Sequence, residues 1–293
     1  MIATGPGAAG GALALLAALL FAVSAALQQG SARSAALATG GEAGMLAVAG
    51  IARTLLTSRR WLVGQGFSVA GFLCHAVALH VGAISLVQAL LVTQLLFALP
   101  FAAGRRRSRL LRRDWVGTVA VCGGLVSLVA PGVPHGAVRP ERLPAAVCVA
   151  VVAVTVLLVA GRLARPPQLR SACIAMAAGW CFATTAVLMT VATSALPQPS
   201  WAWLGVPIST VVGGILTQES FARGSLPTAL TTMTITDPLL SYAAGLTLFA
   251  TATRPPTMPL VFAAALVIGG VALLANSPTL HDERPAPEPL AVG

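Results

Sequence analysis

Residues Thr232–Gly245 read TMTITDPLLSYAAG. This stretch lies inside an apolar run long enough to cross a bilayer, yet it carries a carboxylate, Asp237, followed by Pro238. The helix that would hold them starts near Leu226 on the arginine-rich side. Eleven residues at about 1.5 Å each carry Asp237 about 16 Å inward, close to the centre of a roughly 30 Å hydrocarbon core. An acid at that depth costs at least about 2.5 kcal/mol and marks a functional site by default. Pro238 cannot donate to the carbonyl of Thr234, so that carbonyl is freed and a helix kink is expected beside the carboxylate.

Working outward, the 293 residues are 57% hydrophobic and 9% charged. Their mean hydropathy is +0.87. Soluble domains carry roughly a quarter charged residues, so the composition specifies an all-α integral membrane protein. Nine spans are expected near residues 10 to 29, 61 to 81, 84 to 103, 115 to 131, 144 to 160, 171 to 192, 201 to 221, 226 to 249 and 259 to 276. The segment 37 to 56 contains Glu42, Arg53 and several glycines and reads better as an interfacial helix; a crossing there would make ten spans. No basic residue precedes Arg33, so the first apolar stretch is a poor signal peptide and is taken as a retained helix.

All 18 basic residues are arginine. Fifteen of them, including the run GRRRSRLLRRD at 104 to 114, fall on one side of this nine-span layout, against Arg139, Arg142 and Arg254 on the other. The asymmetry places the C-terminus in the cytoplasm and the N-terminus outside, in the plasma membrane. It also accounts for the net charge of +10 without a nucleic-acid partner. The Pro-rich tail, 277 to 293, reads as disordered. Five cysteines in apolar runs, with no CxxC, read as small buried hydrophobes rather than metal ligands. No Walker loop, HExxH or GxSxG is present, which argues against ATP-driven transport, enzyme activity or a cofactor.

The chain also resembles itself. At an offset of 142, Trp61-Leu62 meets Trp203-Leu204, Gly71 meets Gly213 and Gly82 meets Gly224. LLFAVSAAL (19 to 27) lies over WCFATTAVL (180 to 188), and Gly123-Gly124 over Gly269-Gly270. The implied unit is four helices, repeat A at about 10 to 131 and repeat B at about 171 to 276. A linker helix at about 144 to 160 joins them within one transmembrane domain. An odd connector inverts the second unit, and inverted repeats place substrate near the midplane between them.

The segments FAVSAALQQ, GFLCHAVALHVGAISLVQALLVTQLLFALP and LTQESFARGSLPTALTTMTITDPLLSYAAGLTLF resemble the drug/metabolite transporter superfamily. The similarity is to its EamA-like branch, in a nine-helix NIPA-like arrangement. It covers roughly residues 10 to 276 and implies an exporter of small metabolites or drugs, or, taking the NIPA-like layout literally, a magnesium or other divalent-cation carrier. Two departures stand out. The linker helix has no counterpart in repeat A, and the acid-Pro pair is replaced there by Gln94-Leu95, so the site is expected to be asymmetric.

Thr231, Thr234, Asp237 and Ser241 share one side of their helix at about 100° per residue, a polar stripe that suits a wet cavity. The alternative is that the threonines bond their own helix and Asp237 is a protonated packing residue. Gln94 and Gln88 on the third helix are candidates for the same cavity. His75 on the second helix could pair with Asp237 or Gln94, though an interior packing role competes. Gln28 and Gln29 are read as solvated at the end of the first helix, and Glu219 as an interfacial partner of Arg223. Trp61, Trp201 and Trp203 are read as interfacial anchors. The leading expectation is a secondary carrier alternating access around Asp237, coupled to protons. A cation carrier, an intramembrane enzyme using His75 with Asp237, and a non-transporting subunit are the alternatives. Beyond the bilayer and a small-molecule or ion substrate, a homodimer is left open.

Overall fold

A computed structural model describes residues 6–38, 54–81, 87, 90–106, 111–129, 137–195, 200–250 and 257–275. Among these residues, nine helices of 13 or more residues follow one another: α1 (Pro6–Ala38), α2 (Arg59–Val81), α3 (Gln94–Arg106), α4 (Arg112–Val129), α5 (Leu143–Leu163), α6 (Pro167–Ser194), α7 (Ala202–Arg223), α8 (Leu226–Leu248) and α9 (Thr257–Ala275). Segment 39–53, which holds most of the expected interfacial helix, and tail 277–293 lie outside the described residues. Among the described residues, one pairing of strands joins two-residue β1 (Ala137–Val138) to β2 (Phe249–Ala250), antiparallel, with Ala137 opposite Ala250. It ties the approach to α5 to the end of α8, where Arg142 Nη1 also donates to the carbonyl of Thr247 at 2.8 Å.

Among the described residues, four helices, over Ala9–Ala35, Arg59–Ala78, Leu143–Leu163 and Pro167–Ala192, are long and apolar enough to cross a membrane by length and composition. Large apolar side chains face outward, among them Val149, Val152 and Val156 on α5 and Ile208, Val211 and Ile215 on α7. Such an apolar exterior suits lipid far better than water. The interior is built from small residues instead. Ala14, Ala17, Ala18 and Ala22 of α1 and Ala175, Ala177 and Ala178 of α6 are fully buried. Where lipid supplies no hydrophobic drive between helices, small side chains gain van der Waals contact by letting backbones approach.

The packing follows a pattern. α1 lies along α2 and also meets α3 and α7, while α6 lies along α7 and also meets α8 and α5. α3 meets α8, and α4 packs along α9. A Cβ on Gly71 would meet the Phe21 ring at 3.1 Å, and one on Gly213 would meet the Phe182 ring at 3.2 Å. In the α4–α9 pair, a Cβ on Gly124 would come 2.8 Å from the carbonyl of Ala263 and 3.0 Å from the amide nitrogen of Val267. One on Gly270 would come 2.6 Å from the carbonyl of Gly117 and 2.8 Å from the amide nitrogen of Val121. The residue numbers run in opposite directions along the contact, so the two helices are antiparallel.

Three local departures from the sequence reading have physical causes. α1 does not stop at Gln29 but continues to Ala38, because its two glutamines find partners inside the protein. The expected third helix, 84 to 103, is interrupted. Val92 and Thr93 form a turn, and the amides of Leu95 and Leu96 bond the carbonyls of Val92 and Thr93, three residues back, at 3.2 and 2.9 Å. Asp114, set outside the expected spans, is fully buried in the first turn of α4. Its Oδ2 accepts the backbone amide of Leu111 at 3.0 Å, the backward half of a capping box.

Candidate functional site

α8 presents two different faces. On one, Thr236 and Met233 press against α6 so closely that a Cβ on Gly179 would lie 2.8 Å from the Thr236 Cβ. Thr232 and Thr236 donate back to the carbonyls of Thr228 and Thr232 at 2.8 and 2.7 Å, so this face makes dry, helix-internal bonds. The stripe Thr231, Thr234, Asp237 and Ser241 lies about 100° around the helix from it, and all four residues are half-buried. There the Ser241 hydroxyl donates to Asp237 Oδ1 at 3.3 Å, and the Thr234 hydroxyl accepts Gln94 Nε2 of α3 at 3.2 Å. Three of the residues singled out in the sequence are thereby joined to Asp237 or to the helix facing it.

α3 is irregular where it meets α8, and α8 carries a proline one turn beyond the contact. α8 runs continuously through Pro238, which has no amide to offer the carbonyl of Thr234. α3 begins at Gln94, directly after the turn at Val92–Thr93. The Val92 carbonyl, released from regular helix geometry, accepts the Leu95 amide and the Cys122 thiol at 3.5 Å. The result is a carboxylate paired with a hydroxyl on α8 and, one turn away, a second hydroxyl bonded to a primary amide of α3.

His75 is not part of this group. Its helix, α2, packs along α1, and its Nδ1 is buried without a hydrogen-bond partner rather than paired with Asp237 or Gln94. Of the two readings of His75, the interior placement is the one found, without the hydrogen bond that would satisfy Nδ1, and α1 is the neighbour that α2 faces. Gln88 lies outside the described residues. Glu219 bonds Arg223 one turn on, as the spacing suggested. Of the cysteines, Cys122 and Cys181 are buried, but Cys148 is exposed on α5, so the expectation of burial fails for it. Among the described residues, no three His, Cys, Asp or Glu side chains gather where they could hold a metal ion.

The sequence reading missed a second polar group. Gln28 and Gln29 are only 7% and 5% exposed, not solvated. Gln28 Nε2 donates to Ser24 Oγ at 2.8 Å and to Gln65 Oε1 at 2.9 Å, while its Oε1 accepts Gln218 Nε2 at 2.6 Å. The Trp61 indole, expected to anchor at the membrane surface, donates to Gln218 Oε1 at 3.2 Å. Gln29 Nε2 reaches the carbonyl of Gly224 at 3.1 Å. The available signal was that Gln28, Gln65 and Gln218 all fall near the same ends of their helices; what the sequence lacked was which helices face one another.

No protein-family model matches the chain, and no solved structure matches it. An uncharacterized protein of Corynebacterium glutamicum is 27% identical over 202 residues, covering 65% of this chain and 69% of the relative.

Proposed function

We propose that the chain is a secondary carrier of small organic solutes, metabolites or drugs, of the kind found in the drug/metabolite transporter superfamily. In this reading it works as an exporter in the plasma membrane, with nine crossings and the arginine-rich ends in the cytoplasm. α1–α4 and α6–α9 form two inverted halves joined by α5, and they alternate access around Asp237, which also carries a proton.

The observation that carries the proposal is the meeting, at Gln94 and Thr234 and one turn from Asp237, of α3, which restarts after the turn at Val92–Thr93, with α8, a continuous helix whose Pro238 leaves the Thr234 carbonyl without its helical donor. Carriers with inverted repeats build their sites from discontinuous helices at such a junction, where broken backbone lines a cavity. Support for the inversion comes from the glycine contacts. The sequence repeat maps Gly124 to Gly270, Val121 to Val267 and Gly117 to Ala263, and the contact Gly124 makes with Val267 and Ala263 is the one Gly270 makes with Val121 and Gly117. A reciprocal contact between antiparallel helices implies a local twofold axis perpendicular to both. Gly71 on Phe21 and Gly213 on Phe182 are corresponding contacts within the two halves, which supports the repeat though not its inversion.

An organic solute fits the site better than a divalent ion. Hard cations want several oxygen ligands and usually more than one carboxylate, and Asp237 is bonded here by a serine.

The test has two steps. Solutes that raise the melting temperature of the purified protein are found by screening metabolites, drugs and divalent cations, since a ligand of the folded state stabilises it. Their proton-driven flux is then measured in proteoliposomes. Asp237→Asn should abolish flux while leaving the protein folded; full activity of that variant would refute the role given to Asp237.

A further inference from the structure

We infer that the amide cluster around Gln28 and Gln218 is a latch that closes the arginine-rich end of the bundle and parts when that end opens. The inference rests on the carrier reading above and adds to it the moving contact. Gln28 is fixed in the first half: it bonds Ser24 on its own helix and Gln65 on α2, and Gly64 lets those helices touch, since a Cβ there would stand 3.1 Å from Gln28 Cγ. Gln218 belongs to the second half. Its amide nitrogen reaches Gln28 and its carbonyl oxygen takes the Trp61 indole proton. A third bond between the halves, from Gln29 to the Gly224 carbonyl, lies just past the end of α7.

All of these groups sit at one end. Trp61 and Gln65 are in the first two turns of α2, Gln218 is in the last two turns of α7, and Arg59, Arg60 and Arg223 flank them. The cluster thus lies between the site at Asp237 and the arginine-rich surface.

Its chemistry suits a contact that must break and re-form. Both N–H groups and the oxygen of the Gln28 amide are engaged, so the closed state leaves none of its polar atoms unmet. When the halves part, Gln28 keeps its two bonds within the first half, and water entering from that side can replace the bond to Gln218. A packed apolar seam would offer water no such exchange. The hydrogen bonds exchanged for water are each modest, so the closed state is favoured without being locked.

The test uses the full chain in membranes with its five cysteines replaced by alanine and one reporter thiol, Ser24→Cys, placed where Gln28 bonds Ser24. Labelling by a membrane-impermeant maleimide is timed from each face, using intact cells and inverted vesicles. Gln218→Leu, which removes both amide bonds from the second half, should speed labelling from the arginine-rich face about tenfold and leave the other face unchanged or slower. Trp61→Phe keeps the ring, removes one bond, and should give a smaller rise of the same sidedness, so the test stands if Gln218→Leu misfolds. Labelling that is unchanged from both faces, or raised equally from both, would overturn the latch. Solute flux separates the two ideas: flux with unchanged labelling sinks the latch alone, and one-sided labelling in a protein that moves no solute in any screen sinks the carrier reading.

Discussion

Each of the chain's paired glycines in α4 and α9 should behave asymmetrically, and in the same way on both helices. Adding a methyl group at Gly124 places it 2.7 Å from Val267 Cγ2 and 2.8 Å from the Ala263 carbonyl; at Gly270 it falls 2.7 Å from Val121 Cγ2 and 2.6 Å from the Gly117 carbonyl. In each case two of the three nearest atoms are backbone, which cannot rotate away, so the helices must move apart. Overpacking of this kind costs about 1–3 kcal/mol, or roughly 2 to 12 °C in melting temperature at about 2–4 °C per kcal/mol. The preceding glycines are free of this constraint. A Cβ on Gly123 would meet only Leu266 Cδ1 at 3.8 Å, and one on Gly269 would meet nothing within 4 Å. Alanine there should be neutral or stabilise by up to about 1 kcal/mol, the usual helix-interior gain over glycine. The double variant Gly124→Ala/Gly270→Ala should lose less than the sum of the singles, because one separation of the helices relieves both contacts. Thermal unfolding of the detergent-purified protein, followed by size-exclusion fluorescence, measures all five. Equal losses at Gly123 and Gly124, or a loss at only one of Gly124 and Gly270, would refute the reciprocal packing.

Gly224→Ala should destabilise strongly, because its Cβ would overlap both Oγ and Cβ of Ser171. Ser171→Gly should rescue it and Ser171→Ala should not, since alanine keeps the offending carbon; melting temperatures of the three variants decide this. Glu219→Gln should change stability by less than about 1 kcal/mol, as partly exposed pairs one turn apart contribute little, a value a denaturation series can bound. Pro238→Ala returns an amide to the Thr234 carbonyl, so it should raise the melting temperature and slow solute exchange; faster exchange would contradict a role for the broken backbone.

The helix boundaries were legible because arginine, proline and glycine punctuate long apolar runs, and the glycine pairs because a bare Cα is what close helices need. Facing was not legible. Gln28 looked solvated because a polar pair followed by glycine reads as a helix end, whereas α1 continues and the amides meet Gln65 and Gln218 from elements far away in sequence. His75 looked available to Asp237 because depth alone made them neighbours, yet α2 packs on α1. Asp114 escaped notice because an acid beside six arginines reads as surface charge, while its capping bond to Leu111 buries it completely. On α8, by contrast, a 3.6-residue period sufficed to separate the Thr234–Asp237 side from the Thr236 side, because that division lies within one helix.

The most direct measurement is the reaction of a thiol at Thr234, one turn from Asp237, in the cysteine-free chain. A wet site between alternating halves requires a small impermeant reagent to reach Thr234→Cys from either face, with a bound solute slowing both reactions. A thiol that reacts from neither face in the folded protein would mean that the Asp237 side of α8 is dry packing, and the carrier would have no site.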